Sequence, residues 1–240
     1  MSWLSVLRKR EGPRAPAPQA APEVHRSLAF AEMLDGLRPD HKLQVLDLGP
    51  AVGGNVEFLR RFDCKLFIED LYAALAGRSA GEDGLRHQGI EDLLPLPETA
   101  RFDLVLAWDL FNYLEREELR RLVRHVARYC RPGAVLLAMV SIHKQMPAQP
   151  IRFRIVDDRS LLYELRTPHL RPAPRYASSD LSELLEGFHV DRSFLLRHGI
   201  QEYLFVREED EETWVSKSGW SGMGEGAEAA GAAAAPHGPA

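Results

Sequence analysis

The segment Leu43 to Leu59, LQVLDLGPAVGGNVEFL, constrains the fold more than any other stretch of the chain. Leu43, Val45, Leu46 and Leu48 form a short apolar run of the kind found in parallel strands buried on both faces. The run stops at Gly49, and the small residues Pro50, Ala51, Val52, Gly53 and Gly54 make a loop. Asn55 to Phe62 then carries apolar residues at helical spacing. Strand, tight turn and helix in that order are the first unit of a nucleotide-binding α/β domain. Small side chains let the backbone approach a ligand, and the helix start offers unpaired N–H groups. Asp47, two residues before Gly49, separates the possible ligands, because its carboxylate would repel a pyrophosphate and attract a positively charged cofactor.

The run hydrophobic-Leu46-Asp47-Leu48-Gly49-x-x-x-Gly53 resembles the first motif of class I S-adenosylmethionine-dependent methyltransferases. The resemblance implies that Asp47 faces the methionine end of the cofactor, where an ammonium lies beside the sulfonium. It also implies that Gly49, Pro50, Ala51 and Gly53 line the cofactor loop. The family usually has Gly-x-Gly-x-Gly here, and this chain has Ala51 in place of the middle glycine. The loop also reads Gly49-x-Ala51-x-x-Gly54, a degraded dinucleotide fingerprint, so a nucleotide-cofactor oxidoreductase stays open on the loop alone.

With 240 residues, 27.0 kDa and 45% hydrophobic residues, the chain is large enough for one sizeable core, and one domain with tails is expected. A net charge of −5 and a pI near 6.0 argue against a general nucleic-acid-coating surface. The longest apolar run, Ala134 to Ile142, is strand-sized and too short to span a bilayer. Cys64 and Cys130 lie far apart with no metal-ligand spacing, which predicts free thiols in a reducing cytoplasm and no metal site.

Residues 1–23 read as a flexible leader, 24–207 as the folded domain, and 208–240 as an acidic, then Gly/Ala-rich disordered tail. Val24, Leu28, Phe30, Met33, Leu34 and Leu37 predict a helix at the sheet edge. Lys65 to Ile68 is the second strand, closing at Glu69-Asp70. An acid about 20 residues beyond a glycine loop is where such folds hold ribose hydroxyls. Glu69 suits that role, and Asp70 is either a second cofactor ligand or the N-cap of a helix from Leu71 to Arg78. Leu85 to Gln88 is the expected third strand. The following Gly89-Ile90-Glu91 resembles the segment that runs along the adenine. The family often has an acid at the position of Gly89, so the resemblance leaves Ile90 for the ring face and Glu91 for the amino group, or else an exposed charged turn.

Phe102-Asp103-Leu104-Val105 opens the fourth strand, which ends at Trp108-Asp109, and Leu110-Phe111-Asn112-Tyr113-Leu114 follows. This resembles the family's fourth motif and brings Trp108, Asp109 and Asn112 near the transferred methyl group. A helix from Arg116 to Tyr129 places His125 off its apolar stripe, in solvent, and Val135 to Val140 is the fifth strand. Ser141 to Arg175 reads as irregular. Its arginines 152, 154, 159, 166, 171 and 175 suggest either a cover that recognises carboxylate or phosphate, or arginines paired and solvated on a long loop. Ser178-Ser179-Asp180 caps a helix that ends at Gly187. Phe188 to Leu196 and Ile200 to Arg207 are joined by Arg197-His198-Gly199 into a hairpin.

The resemblance implies the fold: α/β, Rossmann-like, a seven-stranded mostly parallel sheet of order 3-2-1-4-5-7-6 with helices on both faces, into which the antiparallel terminal hairpin fits. The resemblance implies a methyltransferase using S-adenosylmethionine, with the methyl acceptor (small molecule or protein), its general base and the oligomeric state undefined. His143, His169, Tyr113, Tyr176 and Asp109 are the base types available. A non-catalytic module that binds the cofactor or a partner is the alternative, because of Ala51 and the missing adenine acid.

Overall fold

The computed structural model describes residues 22–37, 41–80, 89–174 and 176–209. The leader up to residue 21, the tail from residue 210, Arg175 and the expected strand Leu85 to Gln88 lie outside the described residues. In chain order the elements are β1 (Glu23–Arg26), α1 (Leu28–Gly36), β2 (Leu43–Asp47), α2 (Gly53–Leu59), β3 (Cys64–Ile68) and α3 (Leu71–Ala80). Next come α4 (Ile90–Leu93), β4 (Phe102–Trp108), a 3-10 turn (Leu110–Tyr113), α5 (Arg116–Ala127), β5 (Cys130–Ser141), β6 (Gln145–Pro147) and β7 (Arg152–Asp157). The chain closes with β8 (Ser160–Glu164), β9 (Leu170–Pro172), α6 (Ser178–Leu184), β10 (Phe188–Leu195) and β11 (Ile200–Arg207).

The central sheet has six described strands in the order β10-β11-β5-β4-β2-β3. β3, β2, β4 and β5 are parallel, and β11 enters antiparallel to β5 with β10 outside it. Side chains alternate across the sheet, as strand geometry requires. Leu46, Val105, Leu136 and Ala138 face a core under α3, α4, α5 and α6. Val45, Leu104, Leu106, Leu137 and Met139 face a second core under α1 and α2. The terminal hairpin turns at Gly199, whose φ of +77° favours glycine. A Cβ there would overlap the His143 imidazole.

Three stretches differ from the sequence reading. Val24 lies on β1, paired with Leu162, and the helix begins only at Leu28 because the Ser27 side chain accepts from the Phe30 amide as N-cap. Residues 141–174 hold strands rather than an irregular run. β1, β8 and β7 form a three-stranded antiparallel sheet, and β6 pairs with β9. The period-two signal is Phe153 and Ile155 buried between exposed Arg152 and Arg154 on one strand, and Leu161 and Tyr163 on its partner. His125 is buried, not solvated: its Nε2 lies 2.9 Å from the Leu94 carbonyl and its Nδ1 2.6 Å from Arg128. It links α5 to α4. α6 is capped at Ala177, where the Asp180 carboxylate accepts from the cap amide at 2.9 Å. Both cysteines are free, and burial pushes the Cys130 thiol up to about 12.

Candidate active site

The carboxyl ends of β2, β3, β4 and β5 converge on one side of the sheet, where a doubly wound fold binds its ligands. At the end of β2, Asp47 is 2% exposed. Its Oδ1 accepts from the Gly49 amide at 2.9 Å and from Trp108 Nε1 at 2.7 Å. Burial pushes its pKa up to about 6, against the pull of those two donors. Trp108 reaches Asp47 because β4 shifts register after Leu106 and Trp108 takes φ +49°, a backbone region costly for a bulky residue. A Cβ on Gly49 would stand 2.8 Å from Trp108 Cδ1, so the chain's own indole requires glycine there.

The segment after β5 closes over these strand ends. Asn55, on the first turn of α2, donates to the Phe153 carbonyl at 2.9 Å, and its Oδ1 accepts from the Ile155 amide at 2.8 Å. The Asp109 carboxylate accepts from the Ile151 amide at 2.9 Å. Tyr113 donates to the carbonyls of Pro147 and Gln149, and Tyr72 to that of Ala148. Phe153 stacks on Trp108 with centroids 5.4 Å apart and planes 9° apart. About 20 Å³ of space remains between the loop and this stack. An open hollow of about 390 Å³ lies over Ala51, Val52, Gly53 and Gly54. It is edged by Arg152 and Arg154, which both pair with Glu164.

A separate cavity of about 260 Å³ lies over the ends of β4 and β5. Its apolar wall is Met139, Met146, Ile151, Leu165 and Ile200, and its polar wall includes His25, His143, His198, Tyr163 and Asp109. The His25 ring packs 4.2 Å from His198 and 4.5 Å from Tyr163. Asp109 and Ile151 line both this cavity and the space beside the loop. Burial pushes the Asp109 carboxyl up to about 7, opposed chiefly by the Ile151 amide. Burial also raises the Tyr163 and Tyr113 hydroxyls.

The expected site residues fall into two groups. Gly49, Pro50, Trp108 and Asp109 share one wall, with Asp47 buried behind it on the Gly49 amide and Trp108, and Ala51 and Gly53 line the outer hollow. Glu69 is half-buried at the end of β3, its amide bonded to the Asp47 carbonyl at 2.8 Å. Asp70 accepts from the Ala73 amide at 3.0 Å as cap of α3. Glu91 is held by Arg121 at 2.6 Å, which lowers its pKa, and Ile90 is 1% exposed within the core beneath α3 to α6. Among the base types, Asp109, Tyr113 and His143 line the cavity. His169 is exposed, and Tyr176 donates to the Leu114 carbonyl with its hydroxyl pushed up to about 12. None of Arg152, Arg154, Arg159, Arg166 or Arg171 lines the cavity, so the anion-recognising cover is not formed there. His25, His198 and Tyr163 were missed, because only the fold brings a strand before α1 and a hairpin turn to the same wall.

Residues 13–188 match the family described as Methyltransferase domain. The chain belongs to that family and is an S-adenosylmethionine-dependent methyltransferase, with S-adenosylmethionine as its methyl donor. No curated protein sequence matches the chain. Among solved structures, an S-adenosylmethionine-dependent methyltransferase from Clostridium acetobutylicum is 16% identical, with 70% of this chain and 85% of that one covered and a TM-score of 0.45. One from Methanosarcina mazei is 15% identical, with 75% and 98% covered and a TM-score of 0.46. The donor carries two cationic centres and a vicinal diol; of the acids at these strand ends, Asp109 lines the loop-side space, Glu69 is half-buried at the end of β3, and Asp47 is buried beneath the loop. The space beside the loop does not match the donor in size while Phe153 lies on Trp108.

Proposed function

We propose that the chain methylates an acceptor held in the cavity over β4 and β5, with Asp109 at the junction between donor and acceptor. The observation that carries this reading is the shared wall: Asp109 and Ile151 border both the loop-side space and the cavity. Glu69, whose carboxylate makes no hydrogen bond or ion pair among the described residues, is the candidate for the ribose hydroxyls. The hollow over Ala51 to Gly54, with two arginines and a glutamate, suits a zwitterionic amino-acid end. Asp47 holds Trp108 and the Gly49 turn and so shapes the loop from beneath. Asp70 acts as a helix cap, and Glu91 serves the α4–α5 pair.

The donor, when bound, supplies an activated methyl group. The chain's own contribution is positioning and exclusion of water. The insertion, tied down at Asn55, Tyr72, Asp109 and Tyr113, walls the junction from solvent, and Asp109 is placed to take a proton. No helix among the described residues is long and apolar enough to cross a membrane, and the free thiols fit a reducing cytoplasm.

A second reading, a module that binds cofactor or partner without turnover, is favoured by one observation: the Trp108–Phe153 stack fills the space beside a loop that already carries Ala51. Thermal unfolding of wild type and Glu69→Ala with S-adenosylmethionine, S-adenosylhomocysteine or NAD separates the readings. Ligand at a hundred times its Kd adds about 2.7 kcal/mol and raises Tm by a few degrees. Both sulfur compounds should shift wild type, NAD should not, and Glu69→Ala should lose the shift. Absence of any shift would overturn the donor assignment, and a shift without turnover on amine, hydroxyl and thiol acceptors would favour the second reading.

A further inference from the structure

The cavity's electrostatics are unusual for this chain. Arginine and lysine together number 30 of its 240 residues, yet among the described residues neither type lines the cavity. The Asp and Glu side chains among its described lining residues are Glu23 and Asp109. His198 Nε2 is buried with no hydrogen-bond partner among the described residues, in a side chain that lines the same cavity. Burial and the neighbouring His25 and His143 hold the His198 imidazole below its ordinary pKa, so it is neutral near pH 7. His143 Nε2 is already taken up by the His198 carbonyl at 2.9 Å. The cavity therefore pairs an apolar and aromatic body with a carboxylate at one point and an unpartnered neutral imidazole at another.

These features sort the acceptor classes. A carboxylic acid, phenol or thiol acceptor becomes an anion as it loses its proton, and here it would do so beside two acids in a cavity that no described arginine or lysine lines, Arg171 standing outside it over the Tyr113 ring. An amine enters as an ammonium, which the acids favour, and becomes neutral on losing its proton. We propose that the cavity binds a small primary or secondary amine as the methyl acceptor, its N–H groups shared between Asp109 and His198. This rests on the methyltransferase reading above. On binding, one proton passes from the ammonium nitrogen to an Asp109 carboxylate oxygen; one N–H bond breaks, one O–H bond forms, and the nitrogen lone pair is freed. Asp109 is the proton acceptor because it alone among the acids of this wall also borders the loop-side space. The apolar wall of Met139, Met146 and Ile200 carries the body of the molecule, and Tyr163 offers a ring face to the cation.

The test uses three probes of one shape and different charge: benzylamine, benzyl alcohol and benzoate. Each is titrated calorimetrically into the full chain at pH 8, with S-adenosylhomocysteine binding measured on the same preparation. Benzylamine should bind one site per chain, roughly ten-fold tighter than benzyl alcohol, and benzoate should give no saturable heat. Asp109→Asn should bring amine and alcohol level. Leu165→Trp, at the half-open mouth, should remove both while leaving the melting curve cooperative. Benzoate binding as well as the amine, no binding by any probe, or amine binding indifferent to both variants would each overturn the proposal. The two readings fail separately. S-adenosylhomocysteine binding without amine binding removes only the amine acceptor, whereas amine binding without S-adenosylhomocysteine binding removes only the donor assignment.

Discussion

At the scale of single residues, Asp109 carries the most chemistry and the clearest pH signature. Its carboxyl titrates near 7 in the folded chain against an ordinary value of 3.8, so the folded state binds more protons than the unfolded one between those limits. Stability from this group is complete below about pH 4 and is lost as pH rises through about 7. Asp109→Asn removes that dependence. The difference in Tm between wild type and Asp109→Asn should therefore move against the wild type from pH 5 to pH 8, and a difference constant with pH would show that Asp109 is not buried as described. Gly199 gives a second check. With φ at +77° and the His143 ring in the way of any Cβ, Gly199→Ala should cost roughly 1–3 kcal/mol in urea unfolding. Asp47 and the loop glycines stand out in the sequence by residue type. What Asp47 touches does not, because Trp108 reaches it only through a register shift and a positive φ in β4.

At the scale of elements, the insertion between β5 and α6 is the part that hydropathy described least well. Its strands are short, and their arginines fall on exposed alternate positions, so the run resembles a charged loop until β1 supplies a third strand. Asn55 is the hinge pin of this arrangement. It meets one carbonyl and one amide of β7 from inside the first turn of α2. Asn55→Ala leaves both backbone groups buried without partners and should cost roughly 2–4 kcal/mol. Hydrogen exchange at residues 151–155 should quicken by more than at β4 or β5. Equal quickening across the sheet would mean that the insertion has no stability of its own to lose. α2 itself has no side-chain cap, and its start is given over to Gly53, Gly54 and the Asn55 contact.

At the scale of the whole molecule, the two cores meet across one sheet, and the insertion extends the second of them over the ligand-binding edge. Phe153 belongs to that core and to the wall of the loop-side space at once. Donor binding should therefore compete with the Trp108–Phe153 stack. Phe153→Ala should bind S-adenosylhomocysteine about ten-fold more tightly than wild type, since the competent state no longer has to be opened. Equal calorimetric affinity would show that the stack does not oppose the donor. The parallel strands, the hairpin, the helix faces and the acid-plus-glycine loop were legible in sequence, because each follows from local periodicity, turn residues and residue type. Ile90 in the core, Glu91 on Arg121, the buried His125 and the cavity of His25, His143 and His198 were not. The partners that bury or hold them, Leu94 for His125 among them, lie mostly tens to more than a hundred residues away, and contact over that separation is set by sheet order and packing, which no local pattern records.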